Sequence, residues 1–230
     1  MLDLNFTRRT RAIASDDDLI LAIRGETVSE AENFWNLEMS KITAWSTSNK
    51  IRFNAEKSKV MLTSRRKRKE VKEIKVYLNN KPLEHVTTMK YVGIIIDNKL
   101  QFSEHISYAD ERCKKLIHSL SKSAKVSWGL KHEALKTISK GPILPLLLYG
   151  TPVWIEGMKY EYNRLKCVRV RKRMNRRTAK AFRTTSSEAL SILARMTSII
   201  IKIETAGKQY NMRKVKFLAT PGRRSQNNRS

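Results

Sequence analysis

Three consecutive carboxylates, Asp16, Asp17 and Asp18, stand between two short apolar runs, Ile13-Ala14 and Leu19-Ile20-Leu21. Apolar run, tight acidic turn, apolar run is the pattern of a β-hairpin with carboxylates at its tip. Hard divalent cations take carboxylate oxygens, and paired metal ions activate displacements at phosphorus. The same residues equally suit an exposed turn or a helix N-cap, because the Asp side chain bonds its own backbone in both places. A second set of chemistry-bearing residues is basic: Lys57, in Asn54-Ala55-Glu56-Lys57-Ser58, and the run Arg65, Arg66, Lys67, Arg68, Lys69. Such a run makes a solvated loop, and it also serves as a phosphate contact or a nuclear-import signal.

The chain that carries these residues has 230 positions, with 47 Lys and Arg against 21 Asp and Glu, a formal net charge of +26. So basic a balance implies a polyanionic partner, most simply nucleic acid. Apolar residues make up 40% of the chain, enough for one sizeable core or two small domains. No run approaches the roughly 20 apolar residues of a membrane-spanning helix, so no membrane partner is expected. Residues 143–154 are the most apolar stretch, and Pro145, Gly150 and Pro152 interrupt them. Residues 1–11 lack the apolar centre of a secretory signal. Cys113 and Cys167 fit neither a disulfide framework nor a zinc-ligand spacing, and the four histidines lie apart. The expected location is intracellular, in nucleus or cytoplasm.

The elements that must position the acidic turn can be read in order. Thr27-Val28-Ser29-Glu30 is a capping-box pattern, and Ala31, Trp35, Met39, Ile42 and Trp45 recur at helical spacing, predicting a helix through about residue 46. Residues 50–54 alternate as a strand, 54–56 turn, and 60–62 form another strand. Residues 73–78 alternate, Asn79-Asn80 makes a hairpin turn, and 83–86 return. Residues 91–96 form a strongly β-branched strand in which Gly93 allows close backbone approach. A helix follows from 104 to about 126, then a second over 132–148 that Pro142 and Pro145 should kink or split. Residues 162–182 predict a basic helix, Thr185-Ser186-Ser187-Glu188 caps a further one, and 220–230 should be disordered. Residues 160–230 hold 19 Lys and Arg against three acids.

This ordered series resembles the C-terminal half of the reverse transcriptase of non-LTR (LINE-type) retrotransposons. Asp17-Asp18-Leu19 matches the last three places of that family's aromatic-Ala-Asp-Asp-Leu motif. Trp45 and Asn54-Ala55-Glu56-Lys57-Ser58-Lys59-Val60-Met61 resemble the next palm motif. Tyr91-Val92-Gly93-Ile94, with the residues through Ile106, is similar to the primer-grip segment and the entry to the thumb. Leu144-Pro145-Leu146-Leu147-Leu148-Tyr149-Gly150 and Val153-Trp154 resemble an apolar signature late in the thumb. The resemblance spans roughly residues 12 to 210 and implies an α+β fold: a partial palm with an antiparallel sheet and packed helix over 1–100, a helical thumb over 101–157, and a basic helical extension with a disordered tail over 158–230.

The same resemblance implies an RNA-directed DNA polymerase in which two magnesium ions bridge Asp17, a second catalytic Asp and the nucleotide phosphates. Asp18 would be a weaker ligand, since successive strand residues face opposite sides. Lys57 would neutralise phosphate charge or donate a proton, and Tyr91 and Gly93 would help place the primer. Two departures stand out. Ser15 occupies the place of the aromatic residue that contacts primer or sugar, and Asp16 adds a third negative charge, which favours protonation or a displaced turn. The fingers and the strand with the other catalytic Asp have no counterpart, so the chain is expected not to polymerise alone. The implied partners are an RNA and DNA primer-template, deoxynucleotides in the complete enzyme, and a missing N-terminal half or a second copy of the chain. The competing reading is a stand-alone basic nucleic-acid-binding protein in which the carboxylates do nothing.

Overall fold

A computed structural model describes residues 4–15, 18–64, 74–123 and 131–219. The chain divides into two compact units, residues 1–90 with 97–99, and residues 91–96 with 100–230. The basic run at 65–69 and the tail at 220–230 lie outside the described residues.

In the first unit, β1 (Thr10–Ser15) and β2 (Asp18–Ile23) pair antiparallel, with Ser15 opposite Asp18 and Ala12 opposite Leu21. Period-2 alternation turns Leu19 and Leu21 to one face, where they pack on the core, and Asp18 to the other, where it is exposed. Helix α1 (Val28–Ser48) follows as expected. Thr27 Oγ1 accepts the Glu30 N–H at 3.1 Å, while Glu30 Oε2 accepts the Glu26 N–H at 2.7 Å, so the returning arm of the capping box reaches one residue upstream of the cap. The Gly25 turn runs so close to the helix that a Cβ there would meet Ala31 N at 2.8 Å. Met39 and Ile42 are buried with Val60, Ile74, Val76, Leu78 and Leu83. Glu38 is fully buried on the same helix. Its Oε1 accepts the Thr7 N–H at 2.8 Å and its Oε2 the Lys41 ammonium at 2.9 Å, tying the N-terminal segment to α1.

The remaining strands depart from the expected single antiparallel palm sheet. Among the described residues, strands occur as four two-stranded sheets. Residues 51–54 are irregular, and β3 is confined to Lys59–Val60. Strands β4 (Tyr77–Leu78) and β5 (Lys81–Pro82) close directly on Asn79 and Asn80, both left-handed at φ 52° and 60°. Pro82 has no N–H to continue that ladder. The segment expected to return instead forms β6 (Glu84–His85), which pairs with β3 and does so in parallel. The stretch 91–96 is not one strand. It is a hairpin of β7 (Thr88–Tyr91) and β8 (Ile94–Asp97), because Val92 and Gly93 take left-handed φ values of 44° and 76°.

The second unit is built on helices. Along α2 (Ser103–Ser123), Ile106, Ala109, Cys113 and Ile117 form a buried stripe. The expected helix over 132–148 is split into α3 (His132–Ile138), a π turn (Ser139–Ile143) and α4 (Leu144–Leu148). Pro142 inside the turn removes a helical donor and Pro145 starts the next segment, as prolines require. A short α5 (Thr151–Trp154) and a 3₁₀ turn (Ile155–Lys159) lead to α6 (Glu161–Thr178), α7 (Ser187–Leu193) and α8 (Ile199–Ala219). Ser186 caps α7, accepting the Ala189 N–H at 3.2 Å. Cys167, Val170 and Met174 of α6 and Ile199 and Ile203 of α8 complete one core with the α2 stripe and Trp154. Helices 101–157 and the basic helix after them therefore share a single interior.

Candidate acidic hairpin and nucleic-acid surfaces

The register of β1 and β2 leaves two residues, Asp16 and Asp17, between the paired ends Ser15 and Asp18. Both lie outside the described residues. Asp18 is exposed at the first position of β2 and has no ion pair among the described residues. Among the described residues no group of three or more His, Cys, Asp or Glu is arranged to hold a metal. Magnesium is held through one or two carboxylates, a donor type that Asp18 supplies, with water and phosphate oxygens completing its six.

Lys57 is presented by a turn that Asn54 organises. Asn54 Oδ1 accepts the Glu56 N–H at 2.9 Å and the Lys57 N–H at 3.4 Å, and the Asn54 carbonyl accepts from Ser58 Oγ at 2.8 Å. This Asx turn accounts for the spacing of the Asn-x-x-Lys-Ser motif and leaves the Lys57 side chain exposed. Its neighbours are engaged: Glu56 pairs with Lys81 at 3.4 Å and Lys59 with Glu84 at 3.2 Å. No hydrogen bond or ion pair joins Lys57 to Asp18. Tyr91 is half-buried at the end of β7 and Gly93 exposed in the turn.

Two features of the second unit were not singled out from the sequence. The first is a cluster of cations at the C-terminal end of α6. Arg173 is answered by Asp110 at 2.7 Å, but Arg176, Arg177 and Arg183 have no acidic partner among the described residues. Burial holds Arg176 below the ordinary arginine range, and the neighbouring Arg177, Arg183 and Arg173 charges push it further in the same direction. Phe182, 80% exposed, stands in the same loop. The second is Arg171, buried on α6, which donates to the Thr197 carbonyl at 2.7 Å and has no hydrogen bond at Nε. Burial pulls its pKa down to about 10. Among the described residues no helix is long and apolar enough to cross a membrane.

No family model and no solved structure matches the chain. Curated proteins do. A Pol polyprotein from a type-1 retrotransposable element R1 of Nasonia vitripennis is 27% identical over 183 residues, which is 77% of this chain and 44% of that protein. A second from the same organism is 26% identical over 218 residues, covering 86% of this chain and 54% of the relative. The RNA-directed DNA polymerase from mobile element jockey of Drosophila melanogaster is 24% identical over 159 residues, 67% of this chain and 17% of its own length. The chain thus spans about half the length of these two R1 relatives. An acidic hairpin, an Asn-organised lysine turn and a helical unit rich in unanswered arginines stand in a chain homologous to the Pol polyproteins and RNA-directed DNA polymerases of non-LTR retrotransposons.

Proposed function

We propose that these residues form the palm-hairpin, primer-grip and thumb portion of an RNA-directed DNA polymerase, and that their own activity is to hold an RNA–DNA primer-template. The observation that carries this reading is the antiparallel hairpin whose paired ends, Ser15 and Asp18, bracket Asp16 and Asp17, in a chain homologous to polymerases of this kind over most of its length. Asp17 would be the main carboxylate for a magnesium ion, with Asp18 a weaker ligand. Bound magnesium would supply charge neutralisation at the reacting phosphates.

The chain's own residues bind and orient. Lys57 neutralises a nucleotide phosphate from its exposed turn, and Ser15 leaves the sugar without an aromatic surface. Tyr91 and Gly93 place the primer strand. The run Arg65, Arg66, Lys67, Arg68, Lys69 and the Arg176, Arg177, Arg183 cluster contact phosphates without reading sequence. Among the described residues no strand supplies the second catalytic Asp that the resemblance calls for, and on this reading the chain by itself binds without extending a primer.

The test is binding of the chain to an RNA–DNA primer-template across a salt series, competed with blunt duplex and heparin. A preference for primer-template at physiological salt supports the reading. Equal competition by every polyanion overturns it. In that case the second reading stands, a basic nucleic-acid binder, which the unanswered arginines on α6 favour. An Asp17→Asn change separates the two, since it alters magnesium-dependent binding only if the carboxylates hold metal.

A further inference from the structure

The turn between β7 and β8 is held in a shape its own residues do not favour. Gly93 accepts φ 76° without strain, but Val92, a β-branched residue, sits at φ 44°, where such side chains are outliers. Strained backbone persists only where its surroundings fix it. Here the surroundings are residues 149–154 and His105 of the second unit. Tyr149 Oη donates to the Val92 carbonyl at 2.9 Å, and its ring edge lies 3.2 Å from where a Cβ on Gly93 would stand. Tyr149 is itself fixed from behind: the indole of Trp154, 1% exposed, donates to the Tyr149 carbonyl at 2.8 Å. Gly150, at φ 62°, leaves no Cβ in the space that the Ile94 side chain fills. His105 completes the hold, its Nδ1 accepting the Ile95 N–H at 3.3 Å and its ring tilted against Trp154 at 5.9 Å.

We propose that Tyr149 is a positioning residue: through its hydroxyl and ring it sets the Val92–Gly93 turn, and through the turn it sets the surface of Tyr91 and Gly93 offered to the primer strand. This account gives the Tyr149-Gly150-x-x-x-Trp154 spacing a physical purpose. Tyr149 clasps the turn, Gly150 admits Ile94, and Trp154 anchors the clasp in the core. The primer-strand part rests on the function proposed above; the clasp itself rests only on the contacts.

The experiment compares wild type, Tyr149→Phe and the double variant Tyr149→Phe/Val92→Gly. Three quantities are read: amide exchange at Gly93 and Ile94, affinity for an RNA–DNA primer-template against blunt duplex, and thermal unfolding. Loss of the hydroxyl alone should speed exchange in the turn by about tenfold, consistent with losing one hydrogen bond. Primer-template binding should fall severalfold while blunt-duplex and heparin binding hold. Val92→Gly, which takes the left-handed conformation freely, should restore both in the double variant. Unchanged turn exchange in Tyr149→Phe overturns the clasp. Faster exchange with unchanged primer-template affinity overturns the positioning role. If wild type shows no preference for primer-template, the proposed function fails, while exchange and its rescue still decide the clasp.

Discussion

Arg176, Arg177 and Arg183 offer the most direct quantitative test of nucleic-acid binding, because the structure separates them from the arginine that is already answered. Arg173 donates to Asp110 at 2.7 Å, and Lys114 holds the other Asp110 oxygen at 2.9 Å. The other three have no acidic partner among the described residues, and Arg176 feels the charges of its neighbours. Each phosphate neutralised releases counterions worth about 0.7 to 0.9 in the slope of log affinity against log salt. Changing all three to Gln should therefore flatten that slope by about 2 to 3. Between about 50 and about 200 mM salt, wild type should lose roughly twenty- to fortyfold more affinity than the variant. Fluorescence anisotropy on a labelled single strand over that range measures it. Arg173→Gln is the control and should move the slope by less than one unit, because Asp110 already holds that charge. The variant should fold normally: it loses helix C-terminal charge interactions of about 0.3–1 kcal/mol at Arg176 and at Arg177 and sheds mutual repulsion. An unchanged slope in a folded triple variant would refute the reasoning.

Three further outcomes follow from the second unit. Burial lowers the pKa of His105, whose Nδ1 accepts a backbone N–H, so the unfolded chain binds that proton first. Stability should then be full above the ordinary histidine range near 6.5 and fall as pH drops below it, seen as a lower urea midpoint at pH 5 than at pH 7.5, with His105→Gln flattening the trend. Burial pushes the thiols of Cys113 and Cys167 up to about 12, so a thiol reagent should label neither in the native chain and both after unfolding. For buried Arg171, a pKa pulled down to about 10 disfavours the charged form by about 3 kcal/mol with its bond to the Thr197 carbonyl in place. Arg171→Met keeps the stem and should unfold within about 1 kcal/mol of wild type or above it; a loss beyond about 2 kcal/mol would contradict the balance.

What was legible in the sequence was whatever local chemistry decides. The Asp turn between apolar runs gave the hairpin, Thr27 and Ser186 gave the helix caps, and Pro142 and Pro145 gave the break in the helix over 132–148. Less legible was whatever partners decide. Tyr91 through Ile96 reads as one β-branched strand, and nothing local announces that Tyr149, more than fifty positions away, bends it at Val92. The same holds for β6, whose parallel partner β3 lies some 25 positions upstream. Helix α8 begins with Ile199-Ile200-Ile201, residues that favour strands; burying Ile199 and Ile203 on the shared core outweighs that preference. Of the site, Lys57 was legible as a motif beside a turn at 54–56, and the structure adds the Asn54 bonds that hold that turn. The arginine cluster was visible merely as composition, since only the structure shows which cations are answered.

Charge also bears on when the acidic hairpin can take metal. Among the described residues several acids are already engaged: Glu30 by Arg9, Glu38 by Lys41, Glu56 by Lys81, Glu84 by Lys59 and Asp110 by Arg173 and Lys114. Asp18 stands exposed at a strand end with no ion pair among the described residues. A chain of net charge +26 nevertheless repels a divalent cation, and the field weakens any carboxylate site that lacks its full set of ligands. A bound polyanion reverses that field and adds phosphate oxygens of its own. Divalent binding should therefore be weak in the free chain and tighter once nucleic acid is bound, measured as manganese relaxation enhancement with and without primer-template. By linkage, manganese should raise primer-template affinity by the same factor. Asp17→Asn should remove that coupling while leaving salt-dependent binding through the α6 arginines intact. Equal manganese affinity in the two states would show that these carboxylates do not serve a site shared with nucleic acid.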